Sequence, residues 1–310
     1  MRLLRLFLGA ALLLVLGGCH RGPSPEKLPP PSSRSAKLPV AYDTLPRVFE
    51  LYYSIGESTY CLLATPDPEK LMECALDSIF VFVSAPGDSL YRLIKVLGEA
   101  YGLCPSAGKL DEPAVLIEPI DRGRRHVLIL YTWGGGNSTS SFGAFVWLFP
   151  ECRLLLEAEG APRLFRLTAD SILALASYDV LWPPPSLEGI PNASLAYPVS
   201  NLSLLESGLS DDQVQRAWQD FLERSRQQAL RQYEADPGLV WAAINYIIYS
   251  RLLGQTAEVQ AFLRRVARDF RRRQWSDPAE LEYIRFAARA PVEPSITTLD
   301  VILQSPHRLP

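Results

Sequence analysis

Two stretches of this chain, 125–133 and 142–149, leave it few ways to fold. In the first, Val127, Ile129, Tyr131 and Trp133 alternate with Leu128, Leu130 and Thr132. In the second, Phe145, Trp147 and Phe149 alternate with Phe142, Val146 and Leu148. A strand-period run with no polar face must be covered on both sides. The two stretches are therefore predicted to be central strands, sandwiched between helices or against a second sheet.

From Ala114 to about Leu205 the surrounding sequence has the same character, with short β-rich runs separated by Gly, Pro, Asn and Asp. Strands are predicted over 114–120, 125–133, 142–149, 152–158, 163–168, 172–178, 193–199 and 202–206. Upstream, Ile79 to Ser84 is a further β-rich run. Asp67-Pro68-Glu69 has the form of a helix start and predicts a short helix to about Leu76. Asp88 followed by Leu90, Leu93, Ile94, Leu97 and Tyr101 predicts another, closed by Gly102. Residues 48–64 fit either a helix or a hairpin about Gly56-Glu57. Asp77-Ser78-Ile79 echoes Asp170-Ser171-Ile172, each a turn feeding an apolar run; two short matches are thin evidence for a repeated unit.

The C-terminal third changes period. Ser210-Asp211-Asp212-Gln213 has capping-box form, and Val214, Trp218, Phe221, Leu222, Ser225 and Ala229 then share one helical face. Asp236-Pro237 starts a second helix, whose segment 239–253 is apolar enough to lie centrally. Thr256 caps a third, with Val259, Phe262, Leu263, Val266 and Phe270 in one stripe, and Asp277-Pro278-Ala279-Glu280 opens a fourth. Consecutive helices with short loops resemble a helical-repeat hairpin array of the tetratricopeptide type in architecture, although that family's Gly and Ala pattern is not met. The fold class expected is α+β: an antiparallel β-rich central region of about eight strands, then a C-terminal bundle of about four helices. An all-β meander or propeller-like domain joined to a helical domain is the alternative.

The N-terminus carries a different signal. Arg2 and Arg5 precede an apolar run from Leu6 that ends in Leu16-Gly17-Gly18-Cys19. A basic start, a short apolar segment and small residues before a cut form a secretory signal peptide, too short to remain as a spanning helix. The Leu-x-Gly-Cys ending resembles the lipobox of bacterial lipoproteins. That resemblance implies that the Cys19 thiol takes a diacylglyceryl group, that residues 1–18 are removed and that the new amine is acylated. At ~0.8 kcal/mol per buried methylene, two or more chains make a stable anchor. His20 is not the Asp that the family uses for inner-membrane retention, which favours an outer membrane where the cell has one. Residues 20–39, with six prolines and almost nothing apolar, read as a semi-rigid linker reaching roughly 60 Å when extended. The expected organisation is a signal peptide over 1–18 and a lipidated, proline-rich linker over 19–41. An α+β domain over 42–207, a helical domain over 208–290 and a tail over 291–310 follow.

Cysteine use is consistent with export. Besides Cys19 there are Cys61, Cys74, Cys104 and Cys152, an even number that allows two disulfides in three connectivities. The pairing Cys61–Cys74 with Cys104–Cys152 is preferred because nearby cysteines close most readily; buried thiols are the competing expectation. With no Cys-x-x-Cys pair and three histidines, a zinc site is not expected.

Catalytic motifs are hard to find. Gly134-Gly135-Gly136-Asn137-Ser138-Thr139-Ser140-Ser141 is glycine-rich, yet a strand follows it and no lysine is near, so it reads as a hairpin connection rather than a phosphate loop. There is no Gly-x-Ser-x-Gly elbow, and His20 and His307 lie in linker and tail. His126, beside Arg124 and Arg125, is the remaining candidate base, with the Ser138–Ser141 loop as its nucleophile source. Asn137, Asn192 and Asn201 match the glycosylation sequon, a match without consequence in a bacterial lipoprotein. Arg264, Arg265, Arg268, Arg271, Arg272 and Arg273 form the strongest charge feature. They read either as a solvated helix face or as a contact for anionic lipid headgroups or another polyanion. A formal net charge of -3 gives no support for nucleic acid. The functional expectation is a non-enzymatic envelope lipoprotein without cofactor or metal, bound to the membrane through Cys19. It would contact an envelope protein or component, with the groove between the β region and the C-terminal helices as the favoured surface. An envelope hydrolase acting through His126 and the Ser138–Ser141 loop is the alternative.

Overall fold

The computed structural model describes residues 36–70, 74–106, 113–135, 141–167, 171–181, 197–273 and 278–304. It shows an α+β protein in which three antiparallel or mixed sheets precede a group of about four helices. The chain separates into two compact units, and the division falls between Glu157 and Ala158 rather than near residue 207. Leu167, Ile172, Ala174, Ala176, Leu202 and Leu204 pack with the helices, which moves the boundary upstream.

The first unit is built on two sheets. Strands β1 (Phe49–Ile55), β2 (Ser58–Pro66), β3 (Leu76–Ser84) and β4 (Arg92–Leu97) form an antiparallel meander in that order. Residues 48–64 are thus the hairpin, turning at Gly56, whose φ of 60° suits glycine. The second sheet holds β5 (Cys104–Pro105), β6 (Val115–Ile120), β7 (Arg125–Trp133), β8 (Phe142–Phe149) and β9 (Arg153–Glu159). Its central strands are β7 and β8, as their doubly apolar sequences require. Leu128 pairs with Trp147 and Leu130 with Phe145, and on that face they pack with Val115 and Ile117 against Leu62, Ala64, Ile79 and Val81 of the first sheet. Trp147 is fully buried there, stacked on Phe145.

The other face of the first sheet has its own cover. Cys61, Leu63 and Phe82 pack with Ala36, Leu38, Tyr42 of the short helix α1 (Val40–Asp43) and Leu45, and Lys37 forms a parallel bridge to Leu90. Folded structure therefore begins by residue 36, inside the stretch expected to be linker.

Both helices expected between 67 and 101 are corrected. Asp67 accepts a hydrogen bond from the Glu69 amide at 2.9 Å, closing a turn instead of opening a helix. Residues 92–97 are β4, whose register skips Ile94: Val81 pairs with Lys95 and Phe82 with Leu93. This bulge breaks the two-residue alternation, so Leu93 and Leu97 face opposite cores and the apolar spacing imitates a helix.

In the second unit, β10 (Arg163–Leu167), β11 (Ile172–Leu181) and β12 (Tyr197–Leu204) continue as a meander. Residues 197–199 and 202–204, expected in two separate runs, lie in one strand, β12; residues 193–196 are outside the described residues. Beside β12, β13 (Ile296–Thr298) pairs in parallel and leads into α6 (Leu299–Gln304), so residues 296–304 of the segment expected to be a tail belong to the fold. Helices α2 (Asp211–Ala235), α3 (Val240–Leu252), α4 (Thr256–Arg273) and α5 (Pro278–Ala287) follow the predicted order. The capping box at Ser210 is present: Gln213 N donates to Ser210 Oγ, and Gln213 Oε1 accepts from Ser210 N. Central α3 is buried along Ala242, Ala243, Ile244, Ile247 and Ile248. It packs on Tyr233 of α2, on Val259, Phe262 and Val266 of α4, and on Ile284 of α5.

Candidate functional site

The sites expected from sequence fall in separate places. Cys19 lies outside the described residues, as do Asn137, Asn192 and Ser138 to Ser140. Asn201 is described: its Oδ1 accepts from Ser295 N and Ser295 Oγ, fixing the segment ahead of β13.

The four remaining cysteines are partitioned differently from the expected pairing. Cys74 and Cys104 form a disulfide, while Cys61 and Cys152 are buried thiols. The β3–β4 hairpin explains this, because it returns the chain beside its own start: Leu76 N donates to Leu103 O and Gly102 N to Leu76 O. Cys61 pairs in register with Phe82, several residues up the strand from Cys74, and faces the core lined by Leu38 and Tyr91. Cys152 sits in the other core, between the two sheets, so these two thiols are on opposite faces of the first sheet. Burial pushes the Cys152 thiol up to about 12, which suppresses the thiolate that nucleophilic chemistry needs.

Residues 136–140 of the glycine-rich loop lie outside the described residues, and His126 is placed only relative to the loop's flanks. It pairs with Phe149 at one end of the β7–β8 hairpin, whereas the loop follows Trp133, paired with Phe142, at the other. Seven residues of strand separate His126 from Trp133, at the near flank of the loop, by about 23 Å. Burial alone lowers the His126 pKa, and Arg125 is engaged with Asp121. Among the described residues, no group of three or more His, Cys, Asp and Glu is placed to hold a metal ion.

Within the second unit, sheet and helices pack directly on one another. Leu167, Ile172, Ala174, Ala176, Leu202 and Leu204 meet Ala217, Phe221 and Leu222 of α2. At its centre Ser200 Oγ and Tyr249 OH lie 3.0 Å apart, and Ser225 also hydrogen-bonds Tyr249. Burial holds the Tyr249 phenol protonated. No acid or imidazole approaches these hydroxyls among the contacts described, so the cluster satisfies buried polar groups and carries no base.

Charge is organised on α4. Its apolar residues Val259, Phe262 and Val266 are buried against α2 and α3. The flank toward α2 is polar and paired: Arg226 donates to Glu223 at 2.6 Å and to Glu258 at 2.8 Å, and its guanidinium lies over the Tyr246 ring. Tyr233 OH donates to Asp269, and Arg265 bonds Glu234 at 3.0 Å and lies over Tyr233. Arg265 therefore leaves the basic face expected from sequence and becomes an interhelix clasp. Local spacing does not show this, because Glu234 and Tyr233 come from another helix. Arg264, Arg268, Arg271 and Arg272 are exposed. Arg271 donates to the Ala267 carbonyl, and none of the four is paired with an acid among the described residues.

No protein-family model, curated protein or solved structure matches this chain.

Proposed function

We propose that this chain is a membrane-tethered cell-envelope lipoprotein acting as a binding module, anchored through lipidated Cys19, in the outer membrane where the cell has one. The observation that carries this reading is the sequence Leu16-Gly17-Gly18-Cys19 at the end of a basic-then-apolar leader. The Cys74–Cys104 bond supports it, since disulfides persist in oxidising, exported compartments. Among the described residues no helix is long and apolar enough to cross a membrane, and two acyl chains on Cys19 would supply the attachment. The partner proposed is an envelope protein or component. No described contact favours the hydrolase alternative.

Mass analysis of the mature N-terminus tests the anchor. The expected product begins at Cys19 and carries a diacylglyceryl group, with an acylated amine. Cys19→Ser is expected to retain residues 1–18 and to carry no lipid. An unmodified mature chain that starts elsewhere would overturn the reading.

A further inference from the structure

We infer that the exposed arginine stripe of α4 is a second membrane contact that lays this helix along an anionic phospholipid surface. The inference rests on the tether proposed above for its setting, and on the geometry of α4 for its substance. Arg264, Arg268, Arg271 and Arg272 follow the i, i+4, i+7, i+8 spacing, which places all four on one face. That face is opposite the buried Val259, Phe262 and Val266. At 1.5 Å per residue the stripe is about 12 Å long, parallel to the helix axis.

A helix dipole does not account for it. The favourable effect on cations is confined to the last turn, which covers Arg271 and Arg272 but neither Arg264 nor Arg268. Intrahelical pairing does not account for it either. The two acids of α4, Glu258 and Asp269, are engaged with Arg226 and with Tyr233 and Arg265. Four like charges at helical neighbour spacing oppose one another, and they stand on a chain whose net charge is -3.

The rest of the face selects the partner. Its other exposed residues are Ala257, Gln260 and Ala261. There is no aromatic or large aliphatic side chain among them to anchor in a protein pocket, and no ring on which a nucleobase would stack. What remains is a row of guanidinium groups, which bind phosphate oxygens in bidentate fashion. A sheet of phosphodiester headgroups presents that chemistry over an area. The proline-rich stretch between Cys19 and residue 36 spans at most about 50 Å. A tether of that length limits distance without choosing which face turns to the bilayer, so surface charge makes the choice.

The test uses the full chain, extracted in detergent and reconstituted into vesicles of phosphatidylcholine alone or with one-third phosphatidylglycerol. Arginine modification by phenylglyoxal is read by peptide mass. Arg264, Arg268, Arg271 and Arg272 are expected to be protected in the anionic vesicles only, with protection lost at about 0.5 M salt. Each arginine near the surface contributes about fivefold in partitioning. The quadruple Arg→Gln variant, whose positions are solvent-facing, is expected to keep its helical circular dichroism. It should also lose most of the preference for anionic over neutral vesicles in a transfer assay. Equal modification in both vesicle types, or an unchanged preference in the variant, would overturn the inference. The mass of the N-terminal peptide separates the two proposals. A lipidated chain with unprotected arginines defeats the α4 contact alone, and an unlipidated chain that still needs these arginines to bind anionic vesicles defeats the tether alone.

Discussion

Gly160 is held at a φ of 83°, and a β-carbon placed there would lie 1.9 Å from the Tyr178 carbonyl oxygen. The obstacle is backbone, which cannot swing aside, and it adds to the penalty of left-handed geometry. Gly160→Ala is expected to destabilise the protein by at least about 2 kcal/mol. Gly56 has a similar φ but nothing within 4 Å, so Gly56→Ala should cost only about 1 kcal/mol. Chemical denaturation of both variants checks the difference; equal losses would show that the Tyr178 contact is unimportant. Nothing in the letters around residue 160 announced this constraint, because the carbonyl it meets is eighteen residues further along the chain.

Elements were legible where a single period covered the whole segment. Strands β7 and β8 show strand alternation with no polar face, and that composition admits only a central position. Helix α4 shows its apolar stripe and the opposed arginines in one spacing. Strand β4 was not legible, because the bulge at Ile94 transfers Leu93 from one core to the other and leaves helix-like intervals behind. Asp67-Pro68 misled for a related reason: the same residue types begin a helix and close a turn. Arg226 and Arg265 were hidden by distance in sequence, since the acids that hold them sit on neighbouring helices. The α2–α4 contact can be probed directly. Arg226 is mostly covered, with two carboxylates and a ring about it, so Arg226→Ala is expected to cost about 1–2 kcal/mol. Arg285 and its partner Glu282 are both about half exposed, and Arg285→Ala should fall below about 0.5 kcal/mol. Thermal or urea unfolding of the two variants provides the comparison.

At the scale of the whole molecule, thiol accounting reports on fold and attachment together. Cys61 and Cys152 are almost fully covered, and Cys74 and Cys104 are oxidised. If Cys19 is lipidated as proposed, an aromatic disulfide reagent is expected to find no reactive thiol in the native protein, two after unfolding, and four after unfolding with reduction. A further equivalent would appear only where Cys19 carries no lipid. Two reactive native thiols would contradict the burial described here. The disulfide spans 30 residues, for which chain entropy gives about 3–4 kcal/mol.

The parallel pairing of β13 with β12 places residues 296–298 against residues 202–204, across the whole length of the helical segment. A chain that emerges from its N-terminus cannot finish this sheet until residues 296–298 have arrived. Until then the backbone groups of β12 that await Ile296 to Thr298 stand open to any other extended peptide nearby. A premature stop anywhere before Ile296 would therefore leave a ready template for aggregation.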